Sequence, residues 1–225
     1  MRLKSKITII NRCTLWAGLL AAPFYLVLII SLGALEPGFS HLSMPMSILG
    51  GVPGIRGFVF NLGVAVTGAF LIFFASTLAR QLPHRWSAKT GVLLLVLGGI
   101  GFIGAAYFHC NEGCINIFLE PDVTGRLHII ASLLGGMGSG LAPFFIWLAM
   151  RGQEKWKGFA TPTLMAAILA NLPGVTFWIM IATGLRLHSV EGLIQRMGFI
   201  VVLIWIFFIT IKLRRLQSHM EVRTS

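Results

Sequence analysis

Charge is what this sequence has least of. Only 11% of its 225 residues are Asp, Glu, Lys or Arg, less than half the share of about 25% usual in a soluble domain. That scarcity excludes an ordinary soluble fold. Acidic side chains are rarer still, seven against eighteen Lys and Arg. No Asn-x-Ser/Thr sequon occurs, so glycosylation gives no clue to compartment. The first five long apolar runs contain no Asp, Glu, Lys, Arg or His, and the sixth contains only Arg196, near its start. Pumps and proton-coupled transporters depend on ionisable groups at that depth, so their absence argues against such a mechanism.

Hydrophobicity fills the space that charge leaves. The chain is 56% hydrophobic, with mean hydropathy +0.85. A run of about eighteen or more apolar residues reads as a transmembrane helix. Six are predicted, at about Thr14–Leu35, Gly57–Leu78, Thr90–Phe108, Ile129–Met150, Ala160–Leu185 and Gly192–Ile211. The fold class is therefore all-α, an integral membrane six-helix bundle, with residues 1–225 forming a single transmembrane domain. The first run follows a basic arm (Arg2, Lys4, Lys6, Arg12). It is longer than the roughly 7–15 residues of a signal-peptide core and lacks a clear cleavage site, so it reads as an uncleaved anchor.

Basic residues set the orientation. The amino arm, the turns after spans two and four, and the tail hold fourteen of the eighteen Lys and Arg. The opposite side holds Arg56, Arg126, Arg186 and Arg196, together with five of the seven acidic residues. By the positive-inside rule both termini are cytoplasmic. The net charge of +11 is spread over short loops, as topology determinants are, and implies no nucleic-acid partner.

Polar chemistry gathers at the outer side, above all in the stretch from Tyr107 to His128. His109 closes span three and His128 opens span four, so one loop brings them to the same depth. With Glu112, Glu120 or Asp122 beside them they suit a general base or a metal-activated water, and His109, His128, Glu112 and Asp122 are the catalytic candidates. The same surface, with His41, Ser47, Asn61, Arg126 and His128, suits a cradle for a lipid head group. Interfacial residues that merely satisfy loop backbone are the third reading. Cys110 and Cys114 stand one helical turn apart on the side where disulfides persist, which favours a bridge. Zinc held by His109, Cys110 and Cys114 is the sharper alternative, although C-x-x-x-C is a weak metal signal.

Gly99-Ile-Gly101-Phe-Ile-Gly104 matches a dinucleotide fingerprint by letter but lies inside an apolar span, so it reads as a packing face; so does Gly136-Met-Gly-Ser-Gly140. No cofactor is expected. Asn171-Leu-Pro173-Gly174 reads as a kink within span five, with a broken-helix site as the alternative.

Six spans, the loop sequence Ser43-Met-Pro-Met-Ser47-Ile-Leu-Gly50, Asn61 early in span two, a Gly-rich span three and the histidine opening span four resemble the DUF998 family of prokaryotic membrane proteins. The layout is also similar to the Frag1/DRAM/Sfk1 group, which includes proteins of lipid remodelling. The resemblance implies a bacterial inner-membrane location and carries over the Ser47–Gly50 segment and His128 as positions of interest. The expected partners are membrane lipids and a small amphipathic ligand. A lipid hydrolase and a membrane-protein assembly factor are the rival functions. The sequence sets no oligomeric state.

Overall fold

In the computed structural model, residues 2–110, 122–184 and 189–224 are described. Among them are seven α-helices and no strand. They are α1 (Arg2–Leu35), α2 (Ser47–Gly50), α3 (Ile55–Ala79), α4 (Trp86–Tyr107), α5 (Val123–Met150), α6 (Ala160–Thr183) and α7 (Glu191–Thr224). A single 3-10 turn, Glu154–Trp156, lies between α5 and α6. Five segments are long and apolar enough to cross a membrane: Thr14–Leu35, Ile55–Ala79, Trp86–Tyr107, Val123–Met150 and Glu191–Leu216. The protein is thus an all-α, multi-pass membrane protein. The remaining long helix, α6, occupies the place of the fifth expected span.

The basic arm and tail differ from expectation, because both continue the helices they adjoin, α1 from Arg2 and α7 to Thr224. Two other boundaries move outward. Helix α4 begins at Trp86 rather than near Thr90. Helix α5 begins at Val123 rather than Ile129, because Asp122 caps it by accepting a hydrogen bond from Gly125 N at 2.6 Å. His128 consequently sits in the second turn of α5, not at its mouth.

Each long helix packs on its neighbours in the chain, and α7 closes back on α1 while also touching α5. Between α4 and α5 the approach is close enough that only glycine fits. A Cβ on Gly98 would fall 2.8 Å from Ser139 N, and one on Gly138 would fall 2.7 Å from Gly98 N. A Cβ on Gly68 of α3 would stand 2.5 Å from Gly99 O. The glycines of α4 therefore serve two neighbours. The α5 face, however, is Gly135, Gly138 and Ser139 rather than Gly136 and Gly140 as its pattern suggested. Gly136 has nothing within 4 Å, and Gly140 faces Asn171. Asn171 donates to Gly140 O at 2.7 Å and to Ala167 O at 2.6 Å, joining α6 to α5, and α6 runs through Pro173 as one helix.

The interior is apolar, centred on Tyr25, Leu71, Phe74, Leu95, Ile146, Leu203 and Ile206. Its polar members are held locally: Thr163 donates to Phe159 O at 2.7 Å and accepts from Trp205 Nε1 at 3.1 Å. Large apolar side chains such as Val27, Phe58, Leu172 and Phe208 stay exposed around the bundle, as a lipid-facing surface requires.

Candidate functional site

Two structures stand side by side at the end of the bundle opposite the chain termini, and the loop between α1 and α3 belongs to both. Its pattern of Gly and Pro forbids a long helix, leaving only the single turn of α2. Gly54, with φ of 81°, supplies the left-handed residue that lets the chain turn into α3.

The first structure is a clamp. Helix α7 starts beneath the loop, where Leu193 N donates to Leu42 O at 2.9 Å. Gln195 Oε1 accepts from Met46 N at 2.7 Å. Arg196 Nη1 donates to His41 O at 2.7 Å and Met44 O at 2.8 Å. The Arg196 residue is only 4% exposed, and its guanidinium carbon lies 5.4 Å from the centre of the Phe39 ring. Nε and Nη2 have no hydrogen-bond partner among the described residues. A charge so buried needs compensation, and two loop carbonyls and an aromatic face supply it. Tyr25 of α1 donates to Met46 Sδ, adding an attachment from the first helix. The His41 ring stands edge-on to Phe39 at 5.1 Å. Burial first, and the Arg196 charge second, hold the His41 pKa below its usual value. On the far side of the loop Arg56 pairs with Glu36 at 3.0 Å and donates to Leu35 O at 2.6 Å.

The second structure is a groove of about 1060 Å³ between α3 and α4 at the same end of the bundle. One wall is loop backbone, Gly50 to Gly54, with Asn61 and His109 as its polar side chains. The other is apolar: Phe58, Leu62, Ala65, Ile103 and Tyr107. Tyr107 is 77% exposed and Leu62 53%, so the groove opens on the lipid-facing side of the bundle. Asn61 Nδ2 donates to Gly50 O at 2.9 Å, fixing the end of α2 over the groove. Cys110, 2% exposed, is disulfide-bonded, and its Sγ lies 4.0 Å from Ser47 O.

The sequence-derived candidates thus fall into separate places. His41 belongs to the clamp, Asn61, His109 and Cys110 border the groove, and Ser47 reaches it only through its carbonyl beside Cys110 Sγ. His128 lies between α4 and α5, where Nδ1 meets Ala105 O at 3.0 Å and Nε2 meets Ser132 Oγ at 3.3 Å. With Nδ1 as donor to the carbonyl, Nε2 accepts from the serine, and both ring nitrogens are engaged. Asp122 caps α5, and Arg126 is exposed in its first turn. Glu112, Cys114, Glu120 and His188 lie outside the described residues. Among the described residues no group of three or more His, Cys, Asp and Glu could hold a metal ion.

Sequence reading passed over the clamp. Its one signal was Arg196, the sole charge within an apolar run; its partners are backbone carbonyls, which no residue pattern records.

The family described as "Protein of unknown function (DUF998)" matches residues 19–212, a span that includes both the clamp and the groove. No curated protein and no solved structure matches the chain.

Proposed function

The chain belongs to the DUF998 family, and we propose that it binds a lipid or small amphipathic molecule at the outer face of a bacterial inner membrane. Six spans with both termini in the cytoplasm are part of this reading. The observation that carries it is the two-sided groove between α3 and α4. Backbone amides and carbonyls of Gly50–Gly54, with Asn61 and His109, suit a polar head, while Phe58, Leu62, Ala65 and Ile103 suit an apolar tail. Its volume of about 1060 Å³ lies just above the roughly 300–1,000 Å³ range of small-molecule sites. His128 has both ring nitrogens engaged by Ala105 O and Ser132 Oγ, and His41 is held in the clamp against Phe39, which favours binding over lipid hydrolysis. Hydrolysis needs acid, base and orienting group within mutual hydrogen-bond reach.

The test is native mass spectrometry of the protein extracted in mild detergent. Wild type should retain a lipid-sized adduct, and Ala65→Trp, which fills the groove, should lose it without change in helical content. An equal adduct in both proteins would remove the groove from consideration. Orientation is checked separately: a cysteine placed at position 154 should resist an impermeant label in intact cells.

A further inference from the structure

A second polar pocket lies at the opposite end of the bundle, where α4 begins and α5 ends. Arg85, Trp86, Ser87, Leu148 and Arg151 line a cavity of about 270 Å³ there. Arg85 is the residue before α4, with extended backbone (φ −116°, ψ 155°) and no side-chain capping bond. The first backbone bond of the helix runs from Lys89 N to Arg85 O, at 3.2 Å. The amides of Trp86, Ser87 and Ala88 therefore have no acceptor within the helix, and the first turn holds no acidic residue. A helix start carries partial positive charge and favours an anion, yet the chain places one arginine at it and brings a second alongside. Arg151 ends α5, its guanidinium 5.4 Å from the Trp147 ring.

Neither arginine has an acidic partner among the described residues; nearby, Glu154 pairs with Lys157 instead. Two exposed arginines and a helix start border one small cavity, a surplus of positive charge that favours an anion there. Trp86, 68% exposed, packs edge-on against Phe145 at 6.0 Å. It marks this level as the boundary between hydrocarbon and head groups, where tryptophan is enriched.

We propose that this pocket binds the phosphate of an anionic phospholipid from the leaflet beside the chain termini. The forked guanidinium groups match phosphate oxygens in pairs, and free backbone amides add further donors. The cavity holds a phosphate and its glycerol, and the exposed Trp86 lies where the acyl chains leave it. This inference is independent of the groove at the other end.

The experiment titrates the full-length protein in detergent with phosphatidylglycerol or phosphatidylcholine and counts adducts by native mass spectrometry. Wild type should prefer phosphatidylglycerol. Arg85→Gln or Arg151→Gln alone should weaken that preference about fivefold, and the pair about 30-fold, as expected for charges at a membrane surface. Lys157→Gln, at the same end but outside the pocket, should leave it unchanged. Melting temperatures without added lipid report on folding, and the single variants carry the test should the double variant fold poorly. Unchanged preference in the arginine variants would overturn the proposal, as would an equal loss in Lys157→Gln. Inorganic phosphate alone is the third arm. If it displaces phosphatidylglycerol at millimolar concentration and stabilises wild type but not the double variant, the pocket is a free-phosphate site and the lipid assignment fails.

Discussion

Arg196 of α7 holds the carbonyl oxygen of Met44, 152 residues earlier in the chain, at 2.8 Å. The same nitrogen holds His41 O at 2.7 Å, so one guanidinium group fastens the loop between α1 and α3 to the last helix. The loop then continues into Gly50–Gly54, which form a wall of the groove. A residue of α7 thereby shapes a groove that α7 does not line.

Replacing Arg196 with Met should release both carbonyls. A hydrogen bond to a charged group contributes about 1.5–3 kcal/mol, and relief of the unpartnered Nε and Nη2 offsets part of the loss. The expected net destabilisation is about 2 kcal/mol, concentrated in the loop. Hydrogen exchange should quicken at residues 41–46 while the α4–α5 contact keeps its protection. Uniform loss of protection would mean that the clamp is no local device.

The α4–α5 contact makes a sharper contrast. Gly138→Val sets a branched side chain against Gly98 N and Leu94 O, both 2.7 Å from where its Cβ must stand. Backbone cannot yield as a side-chain tip can, and a loss of about 3 kcal/mol is expected. Gly136→Ala, two residues away, meets nothing within 4 Å. It should be neutral or stabilise by about 0.5–1 kcal/mol through better helix propensity. Thermal melting of the two variants decides it, and equal effects would contradict the described face.

Much of the fold was legible because a membrane helix must be continuously apolar, and such runs show in any reading of the chain. The helix faces were less legible. Gly136 and Gly140 are spaced as a packing motif, but Gly135 and Gly138 share that stretch, and letters alone do not say which pair meets α4. His128 was singled out, but its depth depends on the capping bond from Gly125 N to Asp122. The groove combines loop backbone with side chains from α3 and α4, and of its parts only Gly50, Asn61, His109 and Cys110 carried a visible sign.

His41 gives the loop between α1 and α3 a pH dependence. Burial and the neighbouring Arg196 charge lower its pKa in the folded protein, so the fold prefers the neutral ring. The unfolded chain, with its pKa near 6.5, takes up the proton first as pH falls. Stability from this group is therefore complete above about pH 6.5 and declines below it, until the folded-state pKa is passed. Melting temperatures between pH 8 and pH 5 should show this decline in wild type, and His41→Gln should show less of it. Superimposable profiles would remove His41 as the source.

The last prediction separates support from contact at the groove's end of the bundle. His128 spends both ring nitrogens on Ala105 O and Ser132 Oγ, whereas Asn61 borders the groove and holds its α2 wall through Gly50 O. His128→Ala leaves the Ala105 carbonyl without that donor inside a low-dielectric contact, and about 1–2 kcal/mol should be lost. Lipid retention per folded molecule should stay as in wild type. Asn61→Leu keeps the side-chain volume but removes the polar end, so retention should fall even in the fraction that folds. Measuring melting temperature and retained lipid on both variants gives a two-by-two comparison. Loss of retention in His128→Ala at normal stability would move the site from the α3–α4 groove to the α4–α5 contact, returning His128 to the functional role that its sequence position first suggested.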